Sequence, residues 1–144
     1  MKVVIQRVKS ATLNCGDFKS EINKGLVVFL GVEQEDLEEK TNILAQKISK
    51  LRIFEDDYGK MNLSVKDING EILAVSQFTL LADCSSGNRP SFSKAEKPDR
   101  AKVLYEKFIN ELISLGIEVE RGVFGGDMQI LQHNDGPVTI YYEV

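Results

Sequence analysis

The stretch "KGLVVFLGV", residues 24 to 32, constrains the fold more than any other part of the chain. From Leu26 to Val32 it is nearly continuously apolar, rich in valine, and bounded by glycines. It is too short for a buried helix and lacks the alternation of a half-exposed strand, so it reads as a strand buried on both faces. From Asp36 to about Lys50 the period changes. Leu37, Thr41, Leu44, Ile48 and Leu51 recur at three and four residues with charges between them, which predicts an amphipathic helix, and Asp36 with Glu39 forms a plausible capping box. A second helix is predicted with Pro98 near its first position and Ala101, Leu104, Phe108, Leu112 and Leu115 on one face. Two helices cover only part of an extensive sheet. Another layer of sheet, or a second subunit, must cover the rest.

The remaining segments read mostly as strands. "KVVIQRV" is one, and "ATLNCGDFKSEI" is another that turns at Cys15-Gly16-Asp17. "LRIFEDDYGKMNLSV" is a strand, a polar turn and a return. "NGEILAVSQFTLL" opens with Asn69-Gly70, a hairpin signal, and runs into a buried strand. At the end of the chain, Gly136-Pro137 precedes an apolar, β-branched tail, Val138 to Tyr142. Proline donates nothing to a sheet ladder, so it belongs at the first residue of a strand or on an edge. The sum is α+β: layered, mainly antiparallel sheets with two helices packed on one side. No linker, repeat or low-complexity tract divides the 144 residues, so a single domain is expected over 1–144.

The net charge of −4 argues against a general nucleic-acid binder, which normally carries a basic excess to neutralise phosphates. A nucleic-acid partner would have to be held locally, at an end or a few nucleotides. No apolar run approaches a membrane span, and the first residues show no secretory signal. Cys15 and Cys84 are far apart in sequence and read as free thiols of a cytosolic protein.

The familiar side-chain machines are missing. With one histidine, His133, neither a two-histidine metal site nor an H-E-x-x-H arrangement is possible, and His133 beside a turn reads as a surface residue. No phosphate-cradling glycine motif occurs, and "VFGGDM" reads as a bend between strands. What stands out are polar residues in apolar surroundings. Ser76, Gln77 and Thr79 interrupt "AVSQFTLL". Either they face solvent on a half-buried strand or satisfy a bulge, or the strand end lines a pocket with Ser76 and Gln77 as hydrogen-bonding groups and backbone N–H groups as oxyanion donors. "GNRPSFSKAEKP" places Phe92 between Arg89 and Lys94, either as an ordinary solvated loop or as a place to hold a phosphate and stack a base.

Together these segments resemble the D-aminoacyl-tRNA deacylases. "SQFTL" (76–80) and "NDGPVT" (134–139) are similar to that family's two signatures, S-Q-F-T-L and N-x-G-P-V-T. "QRV", "GLVVFLGV", "RIFEDDYGKMNLSV", "NRPSFSKA" and "GVFGGDMQI" resemble family segments in the same order, across essentially the whole chain. The resemblance implies a cytosolic homodimer that hydrolyses the ester between a D-amino acid, or glycine, and the terminal adenosine of tRNA, without a metal or other cofactor. It implies a cis Gly136–Pro137 bond whose two carbonyls capture the substrate's amino group in the partner's site, and Arg7 holding that pair. Ser76, Gln77 and Phe78 become the opposite wall, with the Phe78 N–H as oxyanion donor, and Thr79 matches a proposed nucleophile. Activation of Thr79 lacks an evident base, so attack assisted by the 2′-hydroxyl of the terminal ribose fits the residues better. Arg89 and Lys94 are the candidate tRNA contacts. Two alternatives stand beside this: a related deacylase with a trans Gly-Pro acting on certain L-aminoacyl-tRNAs, and a non-catalytic RNA-binding module.

Overall fold

The computed structural model describes residues 1–144, with eight strands and two α-helices. The buried run forms β3 (Gly25–Gly31), and it occupies the middle of the sheet. On one side it pairs antiparallel with β1 (Lys2–Cys15), and on the other it pairs parallel with β6 (Glu71–Ser76). Strand β7 (Glu118–Arg121) then pairs parallel with β6. The sheet is therefore mixed. Parallel pairing demands crossovers, and the two helices supply them: α1 (Glu39–Ser49) lies between β3 and β6, and α2 (Pro98–Ser114) lies between β6 and β7.

Both helices pack on one face of this sheet. Leu44, Ala45 and Ile48 of α1 and Leu104, Phe108, Ile109 and Leu112 of α2 join Val3, Ile5, Leu26, Val28, Leu30, Ile72 and Ala74 in the main core. The opposite sheet face carries Val27, Leu73 and Val75, which meet Val8, Ala11, Leu13 and Ile22. Those partners come from the second half of β1 and from β2 (Phe18–Ile22), so the same strand that starts in the central sheet ends in the layer stacked over it. Two register irregularities, between Gln6 and Val8 and between Val8 and Ser10, let β1 change layers. The two strands expected before Gly25 are thus one 14-residue strand followed by a short return.

Two local expectations need correction, and one open alternative is decided. Asn69-Gly70 does not close a hairpin: Asn69 has φ +50° and ends a turn that feeds β6, whose partner is the parallel strand β3. The turn chemistry was legible, but tertiary pairing chose the partner. Asp36 is not a helix cap. Helix α1 starts at Glu39 after Glu38, without a side-chain cap. Asp36 is instead buried and receives the Met1 ammonium at 2.8 Å, Lys40 Nζ at 2.7 Å and the Glu33 N–H at 2.8 Å. Leu37 stays exposed, whereas Thr41, Leu44 and Ile48 face the core as expected. Finally, Pro137 does not begin the last strand. Strand β8 (Gln129–Glu143) runs through it and pairs with β1 alone, so the proline sits within an edge strand. No helix is long and apolar enough to cross a membrane.

Candidate active site

Strand β6 stops at Ser76 because the chain turns there into a short 3-10 segment, Phe78–Leu81. The first N–H groups of such a turn have no partner within it. At this strand end opens a cavity of about 620 Å³, and Ser76, Gln77 and Phe78 are among its walls. Its volume and mostly apolar lining are those of a small-molecule site. Phe92 from the polar loop closes one side, its ring edge-on to Phe78 with centroids 5.0 Å apart. Phe124, Met128 and Ile130 close another. Behind Phe124 stands Tyr105, which donates to the Ala74 carbonyl at 2.8 Å and whose hydroxyl burial pushes up to about 12.

Of the alternatives for "AVSQFTLL", the pocket wall is the arrangement observed. Thr79 is exposed and is not among the cavity walls. Its hydroxyl oxygen accepts a hydrogen bond from the Gln77 amide, and no carboxylate or imidazole bonds to it. Arg89 and Lys94 are exposed in the loop that carries Phe92. The Asp83 carboxyl in the same loop is held below its usual range by the hydroxyl and N–H of Ser85. The lining residues Phe124 and Met128 belong to "GVFGGDM", where sequence reasoning saw a bend. Large apolar residues beside paired glycines were the signal that a wall, and not only a turn, lay there.

Gly136, Pro137 and Arg7 form a separate feature. Along β8, Asn134 pairs with Val8 and Thr139 with Gln6, so the four residues between them bulge opposite the single residue Arg7. The Gly136–Pro137 bond is cis, and both residues are exposed. Arg7 lies buried behind them. Its Nε donates to the Asp135 carbonyl at 3.1 Å and stands 3.5 Å from the Asp135 carboxylate, while Nη1 donates to the Ile53 carbonyl at 2.6 Å. Gly136 has φ +132°, and a Cβ there would lie 2.8 Å from the Val138 nitrogen. Only glycine fits that position without displacing backbone. His133 is exposed nearby and pairs through its backbone with Ser10. Cys15 and Cys84 are free thiols, and no three His, Cys, Asp or Glu side chains converge as a metal cluster.

Residues 4–143 match the family model described as D-Tyr-tRNA(Tyr) deacylase. The chain is 52% identical over 143 residues to the D-aminoacyl-tRNA deacylase of Macrococcus caseolyticus, covering 99% of this chain and 95% of that one. It is 53% identical over 141 residues to the same enzyme of Thermotoga petrophila, covering 97% and 95%. Among solved structures it is similar to the c-Myc DNA Unwinding Element Binding Protein, with a TM-score of 0.92 and 40% identity over 100% of this chain and 99% of that one. With the signatures, the fold and these full-length matches in agreement, the chain belongs to the D-aminoacyl-tRNA deacylases, hydrolases of the aminoacyl ester.

Proposed function

We propose that the enzyme is a chirality proofreader that works by backbone recognition and substrate assistance. The observation that carries this is the exposed Gly136–Pro137 bulge, pinned from behind by the buried Arg7. A wall of main-chain atoms cannot rotate away as a side chain can. Two carbonyls presented there accept hydrogen bonds from the substrate's ammonium group and leave an L side chain nowhere to go. Glycine and D-amino acids pass the same filter, so glycyl-tRNA is a substrate as well. The terminal adenosine occupies the cavity beside Ser76, Gln77 and Phe78, and the Phe78 N–H stabilises the oxyanion. Thr79 is no nucleophile, because its oxygen already accepts from Gln77 and no base is in reach. The 2′-hydroxyl of the terminal ribose activates the attack, and the protein supplies orientation. Arg89 and Lys94 flank the single-stranded end.

The reading also requires a homodimer, in which each Gly136–Pro137 faces the partner's cavity. Two features support it. Strand β8 is an unpaired edge with Leu131 74% and Tyr141 57% exposed. The chain exposes 8230 Å², whereas a monomer of this mass typically exposes about 7,400 Å². An enzyme that acts on tRNA is expected to work in the cytosol.

Purified enzyme is expected to deacylate D-tyrosyl-tRNA and glycyl-tRNA and to spare L-tyrosyl-tRNA. Thr79→Ala should keep most of the activity, and substrate with a 2′-deoxy terminal adenosine should not be cleaved. Hydrolysis of both enantiomers would refute backbone chiral selection. A Thr79→Ala enzyme that folds and binds tRNA but is inactive would restore a covalent mechanism.

A further inference from the structure

We propose that Lys47, Lys50 and Arg52, beside the ring of Tyr142, form a ledge that holds the phosphate backbone of the duplex acceptor stem. The inference rests on the functional reading above and names a second surface for the same substrate.

The three cations line a shallow concavity of about 400 Å³ with Ile43, Gln46, Leu51 and Tyr142, and no carboxylate is among its walls. In a chain with 22 acidic and 18 basic residues, such a surface runs against the average. Six cations elsewhere, Arg7, Lys19, Lys40, Arg100, Lys102 and Lys107, each stand within 4.0 Å of a carboxylate. None of the three ledge cations does. Lysines near a helix C-terminus complement the helix dipole, which accounts for Lys47 and Lys50 taken alone. It does not account for Arg52, which lies beyond α1 and is anchored by donating to the Asn62 carbonyl at 2.9 Å and to the Asn62 side chain.

A short path of covalent and hydrogen bonds links the ledge to the Gly136–Pro137 feature. Arg52 precedes Ile53, whose carbonyl accepts from Arg7, and Arg7 holds Asp135 next to Gly136. The chemistry favours duplex over single strand. Single-strand grooves offer aromatic faces for bases to stack on. The one ring here is half-buried, and Lys47 Nζ already stands 5.5 Å from its centroid. Duplex RNA is recognised through phosphates and 2′-hydroxyls, for which a row of fixed cations suffices.

The test is binding of an unacylated RNA hairpin that reproduces the acceptor stem and its single-stranded end, titrated against salt. The variant Lys47→Gln/Lys50→Gln/Arg52→Gln should lose about tenfold or more in affinity, and its slope of log K against log salt should shrink by about 2 to 3. The charge-keeping variant Lys47→Arg/Lys50→Arg/Arg52→Lys should bind like wild type. Lys47→Gln/Lys50→Gln, which leaves the bonds to Asn62 intact, should show a smaller loss of the same kind. Wild-type affinity and slope in the triple Gln variant would overturn the proposal, as would an equal loss in the charge-keeping variant. Wild-type enzyme that binds the hairpin through the ledge but hydrolyses no D-aminoacyl ester would sink the functional reading and leave the ledge standing.

Discussion

Arg7 shows how one buried charge can pin a backbone bulge from behind. Its guanidinium spends its donors on two backbone carbonyls, those of Ile53 and Asp135, from segments far apart in sequence. Arginine suits this because its planar fork is fixed and stays charged. Gly136 is the complementary requirement, since both its φ and the closeness of the Val138 nitrogen exclude a side chain. Gly136→Ala is therefore expected to cost about 1–3 kcal/mol of stability and to lower activity on D-tyrosyl-tRNA more than stability alone explains. Urea unfolding alongside single-turnover hydrolysis checks this; an alanine variant with wild-type values on both would show that the bulge tolerates a side chain. The pairing of Gly136 with Pro137 was legible in sequence, as was their relation to Arg7 through the family motifs. The Ile53 carbonyl was not, because a backbone acceptor leaves no mark on residue type.

At the scale of elements, periodicity identified both helices and the buried strand, but local signals misassigned two junctions. Asn69-Gly70 is good turn chemistry, and the turn exists, yet β6 pairs with β3 because burying Ile72 and Ala74 against the helices outweighs a local hairpin. Asp36 resembled a cap and is instead the buried counter-charge of the Met1 ammonium and Lys40, fastening the start of α1 to β1. Burial raises its carboxyl, and hydrogen bonds from Lys40, the amino terminus and the Glu33 N–H more than offset this, so the net shift is downward. A depressed folded-state value stabilises the fold above the unfolded carboxyl's range, about pH 4. That stability is lost as pH falls through the lower folded value. Asp36→Asn leaves the buried Met1 ammonium unbalanced and should cost about 3–5 kcal/mol near neutrality. In urea titrations the gap between the variant and wild type should narrow at low pH. A constant gap would mean that the loss is one of packing and not of charge.

For the whole molecule, the sequence required more than two helices to cover its sheet, and the structure shows how the cover is built. Strand β1 bends at its irregularities and carries β2 and the first half of β8 over the second face. This leaves β8 as a long outer edge whose outward side chains include Leu131 and Tyr141. Long exposed edges attract a second chain. Sedimentation should therefore give a mass near twice 16.1 kDa, and Leu131→Asp/Tyr141→Asp should shift the protein to monomer and abolish deacylation. A fully active monomeric variant would remove the partner from the site. By itself the sequence determined the helices, the buried strand, the family motifs and the absence of a familiar acid–base machine, because periodicity and residue chemistry are local properties. Only the tertiary structure decided which strands pair, what Asp36 binds, which aromatic residues wall the cavity, and where the Gly136–Pro137 bulge lies. Each of these depends on contacts between residues distant in the chain, whose energies no local pattern records.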